Sequence, residues 1–190
     1  MRTSLGAKTL LFPTPVLIVG TYDKDGNPDV MTAAWGGICC SGPPCLSVSV
    51  RKARLTFANI MEKKEFTVSI PSEANVAEAD YIGMVSGRDE DKFAQTGLTP
   101  VRAEKVDAPY VKEFPMHLEC KMVHSFDLGQ HTQFIGEIID VKAEDTILSD
   151  GMVDVDKLMP FWYSPSGGLY YGTGRKLGQG FNLGKRFSKK

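Results

Sequence analysis

The chain carries almost no excess of either charge: 22 basic residues stand against 23 acidic ones, and the net charge is −1. Proteins that bind nucleic acids or anionic membranes usually show a strong basic bias. The balance therefore gives no reason to expect nucleic acid or a membrane as a partner. Hydrophobic residues make up 42% of the sequence, which is typical of globular proteins, and 190 residues predict one domain over 1–190.

Cysteine is scarce, with four residues in the chain. Cys39 and Cys40 are adjacent, and Cys45 and Cys120 follow at uneven distances. This is not the regular spacing of a small secreted domain held by disulfides. Free thiols in a reducing compartment are the better interpretation, which predicts a cytoplasmic protein.

A long uninterrupted hydrophobic run is also missing. The most apolar segment, 10–20, follows two basic residues and superficially resembles a signal peptide. Pro13 and Pro15 interrupt it, no small-residue cleavage site follows, and it is too short to span a bilayer. The sequence therefore predicts neither a secretion signal nor a membrane anchor.

The usual cofactor and metal motifs are incomplete. Residues 172–178 miss the third glycine of the dinucleotide fingerprint, and 180–185 are one residue short of a P-loop. On a strand, His117 points away from Cys120 and His124, so these three residues do not predict a metal site. No pair of side chains predicts a catalytic dyad either.

Strands joined by hairpins dominate the pattern. Segments 16–22 and 29–35 flank the turn 23–28, and 45–51 alternates apolar with small polar residues. Further strands are predicted at 65–70, 117–126 and 132–142, the last two joined by a turn at 127–130.

Three helices accompany the strands. The first begins with Thr56 as a plausible N-cap and turns Ile60 and Met61 inward, the second spans 73–86, and the third runs from about Asp89 to Gly97. Strand–helix–strand alternation is missing. The sequence therefore predicts a mainly β fold with helices (α+β), an antiparallel barrel with helical additions.

Hydroxyls and cations follow one another closely on the polar side of strand 45–51. Ser49 and Arg51 project from one face, and Thr56 opens the next helix. Phosphates are bound by hydroxyl donors, forked guanidinium groups and free N–H groups at helix starts, so this string suits a phosphate. Taken alone, it is more typical of an exposed edge strand followed by a solvated basic turn, because such strings are common.

Two runs of small residues, 32–37 and 39–44, precede this strand face. Small side chains let main-chain N–H and C=O groups approach the edge of a flat ligand. An isoalloxazine ring presents such an edge along its pyrimidine side. Trp35, within the first run, either flanks the ring or fills the core, as a lone tryptophan usually does.

Together these segments resemble the flavin reductase-like family, and within it the flavoredoxins. The resemblance rests on MTAAW at 31–35, the prolines at 43–44, SVSVRK at 47–52, the helix from Thr56, SGRDEDKF at 86–93 and GGLYYG at 167–172. It covers nearly the whole chain. It implies an antiparallel Greek-key split β-barrel that forms a homodimer and binds FMN at the subunit interface.

By position, the resemblance also implies a set of cofactor-binding residues. The set is Met31, Thr32, Ala33, Ala34, Trp35, Cys39, Cys40, Ser41, Ser49, Val50, Arg51, Thr56, Lys92, His131 and Tyr171. Residues 32–34 would hold the phosphate side or the ribityl chain, 39–41 would line the isoalloxazine, and Ser49, Arg51 and Thr56 would meet the phosphate. Lys92 would approach the flavin from SGRDEDKF.

The function implied is that of an oxidoreductase that transfers electrons through bound FMN. Either NADH or NADPH passes hydride to the flavin, or a redox-protein partner exchanges electrons with it. The alternatives are a non-enzymatic electron carrier, an oxidase of the pyridoxamine-phosphate type, and a domain that has lost its cofactor. Aromatic residues near the C-terminus form part of a dimer interface or close the barrel mouth, namely Phe161, Trp162, Tyr163, Tyr170 and Tyr171.

Overall fold

The computed structural model describes residues 1–187; residues 188–190 of the predicted domain lie outside the described part. The strands are β1 (Thr14–Pro15), β2 (Leu17–Tyr22), β3 (Pro28–Ala33), β4 (Gly36–Ser41), β5 (Pro44–Arg51), β6 (Glu65–Ile70), β7 (Pro100–Arg102), β8 (Pro109–Val111), β9 (Met116–Asp127), β10 (His131–Ala143), β11 (Leu148–Ser149), β12 (Met152–Val153), β13 (Phe161–Ser164) and β14 (Leu169–Gly172). The α-helices are α1 (Leu55–Lys63), α2 (Val76–Met84), α3 (Lys92–Thr96) and α4 (Val155–Leu158). Among the described helices, none has both the length and the apolar character needed to cross a membrane.

Seven antiparallel strands form the central sheet in the order β3-β2-β6-β9-β10-β5-β4. The N–H of Ser49 on β5 donates to the carbonyl of Trp35, just after β3, at 2.8 Å. The bond continues the pairing of β4 with β5. Because only residues 34 and 35 separate β3 from β4, the first strand of the order leads directly into the last, which closes the sheet into a barrel. The predicted mainly β architecture, an antiparallel barrel with added helices, is confirmed.

Alternating side chains fill the barrel. On β5, Leu46, Val48 and Val50 are buried inside, whereas Arg51 faces outward, as the alternation predicts. The barrel core consists of Leu17, Val19, Met31, Ala33, Leu46, Val48, Val50, Ile60, Phe66, Val68, Leu118, Cys120 and Phe134. The outer faces of β2 and β3 are buried too, because α2 and α3 pack a second apolar cluster against them.

The start of α1 differs from the prediction. Thr56 is not the N-cap: Arg54 occupies that position without a side-chain cap bond, and Thr56 lies buried in the first turn. The Thr56 hydroxyl donates instead to Asp29 Oδ2 at 3.0 Å. Ile60 is buried as predicted, but Met61 is 39% exposed, so its predicted inward orientation is wrong. The two neighbours cannot share one helix face, and only Ile60 faces the barrel.

Other boundaries moved by a few residues. β3 ends at Ala33, and residues 36–41, which overlap the two small-residue runs of the sequence analysis, form the edge strand β4. α3 begins at Lys92 rather than near Asp89, because the Asp91 carboxylate accepts the N–H of Ala94 and caps the helix. His131 is the first residue of β10, and the turn before it is shorter than predicted.

The C-terminal aromatic residues pack largely against one another. β13 pairs with β1 and β14 in a three-stranded sheet. Trp162 stacks on Tyr171 with ring centroids 4.7 Å apart, and the buried Phe161 meets Tyr170 edge-on at 5.5 Å. These contacts hold the sheet against the second apolar cluster within one chain.

Candidate functional site

Two adjoining cavities open beside the outward face of β5, where it meets β10 and the end of β3. The larger has a volume of about 730 Å³ and the smaller about 220 Å³. Ligand sites in proteins usually measure about 300–1,000 Å³, so together they suit a ligand of nucleotide size. Both cavities are lined by Ala34, Trp35, Ser49, Arg51 and His131.

The structure brings together most of the residues that the family resemblance implied. The smaller cavity is lined by Met31, Thr32, Ala33, Ala34, Trp35, Ser49, Val50, Arg51 and His131, together with Arg54. Two features of the barrel cause this. The β5–β10 register places His131 directly opposite Arg51, and the Ser49–Trp35 main-chain bond draws the end of β3 alongside.

The cavity lining is cationic. Arg51 and His131 belong to both cavities, Lys8 to the larger and Arg54 to the smaller. Within residues 1–187, no aspartate or glutamate lines either cavity. Partial burial, and next the positive charge of Arg51, hold the pKa of His131 below its usual value. Such a lining favours an anionic group that accepts hydrogen bonds.

Arg54 is fixed by the helix beside the cavity. Its guanidinium donates to the carbonyl of Gly83 at 2.8 Å and to that of Val85 at 2.9 Å, at the C-terminal end of α2. A cation is stabilised there by the helix dipole and by otherwise unpaired carbonyl groups. The residue set implied by the family resemblance omits Arg54, although Arg54 is the third cation of the string that begins at Arg51.

Lys92 and Thr56 do not line either cavity but meet at Asp29, on the strand β3 whose end lines the smaller one. The Lys92 ammonium lies 3.1 Å from Asp29 Oδ1 and also donates to the Val30 carbonyl, and the Thr56 hydroxyl bonds the other oxygen of Asp29. Asp29, Thr56 and Lys92 are all at least nine-tenths buried. Burial lowers the pKa of Lys92, and the Asp29 charge offsets part of that shift. We call these three residues the buried ion cluster.

Gly87 explains why the SGRDEDKF segment can lie so close to this cluster. A Cβ atom on residue 87 would stand 2.2 Å from Asp29 Oδ1, so only glycine fits. The segment therefore supplies Gly87 and Lys92 to the support of β3 and α1. Contact of Lys92 with the cofactor stays a prediction.

The remaining implied residues lie elsewhere on the surface. Cys39, Cys40 and Ser41 are exposed on the edge strand β4 and line neither cavity. Tyr171 lies in the C-terminal sheet, stacked on Trp162. Their contact with FMN also stays a prediction.

The N-terminal segment is the part of the site that the sequence analysis missed. The larger cavity is walled by Lys8, Thr9, Leu10, Leu11, Pro13, Thr14 and Pro15, and on the other side by Leu128 and Gln130. Pairing of Thr14 with Tyr163 places this segment there, and the Thr14 hydroxyl donates to the Tyr163 carbonyl. Pro13 and Pro15 within the apolar run 10–20 were the sequence feature that could have pointed to this wall.

Comparison with known proteins agrees with this geometry. Residues 9–167 match the family described as flavin reductase like domain. The structure of flavoredoxin from Desulfovibrio vulgaris (Miyazaki F) superposes with a TM-score of 0.93 and 53% identity, covering 97% of this chain and 100% of that one. Flavoredoxin from Methanosarcina acetivorans gives a TM-score of 0.93 at 28% identity, with 99% and 100% covered. An uncharacterized protein of Archaeoglobus fulgidus is 36% identical over 140 residues, which are 74% of this chain and 77% of that protein.

Proposed function

This chain belongs to the flavin reductase-like family, and from that premise we propose that it is an FMN-binding redox protein whose cofactor occupies the two adjoining cavities. The observation that carries the proposal is the acid-free lining around Arg51, Arg54 and His131, directly beside a face of small residues. The flavoredoxin neighbours support the same cofactor class.

The residues present fit FMN on three counts. Arg51 and Arg54 supply cationic donors for the phosphate, with the His131 imidazole and the Ser49 hydroxyl beside them. Residues 32–34 have small side chains, so main-chain groups can reach the ring edge or the ribityl chain. Trp35 supplies an aromatic wall to both cavities.

FMN, when bound, supplies the redox chemistry, and the protein binds and orients it and tunes its charge. Arg51 and the neighbouring cations stabilise negative charge in the site. In the reductase form of the proposal NADH or NADPH is the hydride donor. In the carrier form, which the likeness to flavoredoxins supports, a partner redox protein exchanges electrons instead.

The visible spectrum of the purified protein, before and after anaerobic NADH or NADPH, tests this proposal. We expect flavin absorption bands, because the cofactor supplies them wherever it is bound. Bleaching by a nicotinamide supports the reductase form, and bands that persist until a reduced protein donor is added support the carrier form. A colourless protein that fails to take up added FMN would contradict both and favour a domain without cofactor.

We also propose that the protein is a homodimer whose second copy covers the cavity mouth. Leu128, on the wall of the larger cavity, is exposed in the single chain, and so are Ile38 on β4 and Phe126 on β9, the strands that flank β5 and β10. Exposed apolar side chains grouped beside a ligand site are typical of an interaction surface. Light scattering should report twice the chain mass, and a monomer at all concentrations would contradict the proposal.

FMN affinity should rise as pH falls from about 8 to 6.5, because His131 takes up a proton on binding. The free protein holds the pKa of His131 below its usual value. A bound phosphate would raise that pKa, so the complex binds more protons in this window and lower pH favours it. Titrations of FMN fluorescence across this range measure the effect.

The His131→Gln variant is the control for this titration. Glutamine keeps a hydrogen-bond donor but does not titrate, so its affinity should stay flat across the same pH range. Equal slopes in both proteins would assign the pH dependence to another group.

A further inference from the structure

Three of the four cysteines lie together at the turn between β4 and β5. In the antiparallel register of these strands, Cys40 is the direct partner of Cys45. Directly opposed residues project to the same face, with Cα atoms about 4.5–5.5 Å apart. Disulfides need Cα separations of about 4.4–6.8 Å. The pairing therefore meets the main geometric requirement of a disulfide.

Cys39 is a neighbour of this pair but not its direct partner. The register shifts between Ile38 and Cys40, which makes Cys39 the extra residue of a β-bulge. Burial raises the pKa of the Cys45 thiol, and the thiols of Cys40 and then Cys39 raise it further. Because Cys39 is the extra residue of the bulge, Cys40 rather than Cys39 faces Cys45 directly.

The two members of the pair differ in access. Cys40 is exposed, whereas Cys45 is 5% exposed. An external reagent therefore reaches Cys40 first, and Cys45 is placed to react with the product from within. The fourth cysteine is inert by comparison: Cys120 is fully buried, and burial raises the pKa of its thiol to about 12.

We propose that Cys40 and Cys45 form a reversible redox pair, closed by thiol–disulfide exchange with a low-molecular-weight disulfide. The Cys40 thiolate attacks one sulfur of the reagent, the reagent's S–S bond breaks, and one thiol leaves. Cys45 then gives up its proton and attacks the Cys40 sulfur, which releases the second thiol. The protein loses two hydrogens and two electrons, and the reagent gains them as two thiols. Neither Cys40 nor Cys45 lines the two cavities.

Exposure of the purified full-length protein to oxidised glutathione tests the pair. Alkylation before and after denaturation, followed by mass spectrometry, identifies the protected thiols. We expect the intact mass to fall by two hydrogens, with Cys40 and Cys45 protected. Cys40→Ser should lower the fraction of chains that carry the internal disulfide at least about tenfold, because the thiol that the reagent can reach is gone. Cys39→Ser and Cys120→Ser are the matched controls, and both should form the disulfide to the same extent as the unchanged protein.

Three outcomes would overturn the proposal. The first is a glutathione adduct on Cys40 that persists while Cys45 stays free. The second is unchanged closure in Cys40→Ser, which would assign the bond to Cys39. The third is a disulfide that links two chains. Because Cys40 is exposed, its serine variant should fold, so the test does not depend on replacing the buried Cys45.

Discussion

Replacing Arg51 by alanine is expected to weaken FMN binding by between about tenfold and a hundredfold, because it removes charge-assisted hydrogen bonds to the phosphate. Arg51 lines both cavities, faces outward from β5 and stands opposite His131. The FMN affinity of Arg51→Lys should lie between those of Arg51→Ala and the unchanged protein, since lysine keeps the charge but lacks the forked guanidinium. Quenching of FMN fluorescence on binding measures the dissociation constants.

Lys52→Ala is the matched control for this prediction. Lys52 is the next cation along the chain, but its exposed ammonium pairs with Asp127 and lines neither cavity. Its loss should change FMN affinity by less than about threefold, since exposed ion pairs contribute little.

Riboflavin separates a local effect from a general one. It lacks the phosphate, so it should bind Arg51→Ala and the unchanged protein equally. A loss of riboflavin affinity as large as that of FMN would show that Arg51 does not act on the phosphate. Equal effects of Arg51→Ala and Lys52→Ala on FMN would place the phosphate elsewhere.

The strand face of the site could be predicted from sequence because its signal is local. The alternation along 45–51 predicts that Leu46, Val48 and Val50 face the core, and the outward direction of Ser49 and Arg51 follows from it. The small residues of 31–35 reach the same cavity because the end of β3 is drawn to β5 by one main-chain bond. Their order along the chain, as the family resemblance has it, was sufficient to place them.

The other parts of the site depend on contacts between distant segments, which no periodicity reports. The N-terminal wall exists because Thr14 pairs with Tyr163 on β13. Thr56 had the residue type and place of an N-cap, but burial beside Asp29 gave its hydroxyl a different acceptor. Lys92 has the charge of a ligand-binding residue, but its ammonium is buried in an ion pair with Asp29 from a distant part of the chain.

The buried ion cluster makes Lys92→Met the most destabilising single change that we expect. Removing one partner of a buried ion pair typically costs about 3–5 kcal/mol, because the other charge remains buried without compensation. Here the Asp29 carboxylate would keep the Thr56 hydroxyl but lose the ammonium at 3.1 Å. The free energy of unfolding, measured by urea denaturation, should fall by that amount.

Lys24→Met is the control of identical chemistry, since the ammonium of Lys24 contacts Asp25 at an exposed site. Its unfolding midpoint should not move measurably. The double variant Asp29→Asn/Lys92→Met should be more stable than the sum of its single changes predicts, because the orphaned charge is gone. Strict additivity would show that the two groups do not act as a pair.

FMN affinity of the folded Lys92→Met protein then separates support from direct contact. The cluster supports β3 and α1 and lines neither cavity. At low temperature, where the variant is folded, its FMN affinity should therefore stay within about threefold of that of the unchanged protein, because no phosphate donor is removed. If Lys92 itself touched the flavin, as the family resemblance implies, affinity would fall even where unfolding is negligible. A loss of stability with unchanged FMN affinity would show that SGRDEDKF has a structural role in supporting the site. The phosphate would then be bound by Arg51, Arg54 and His131.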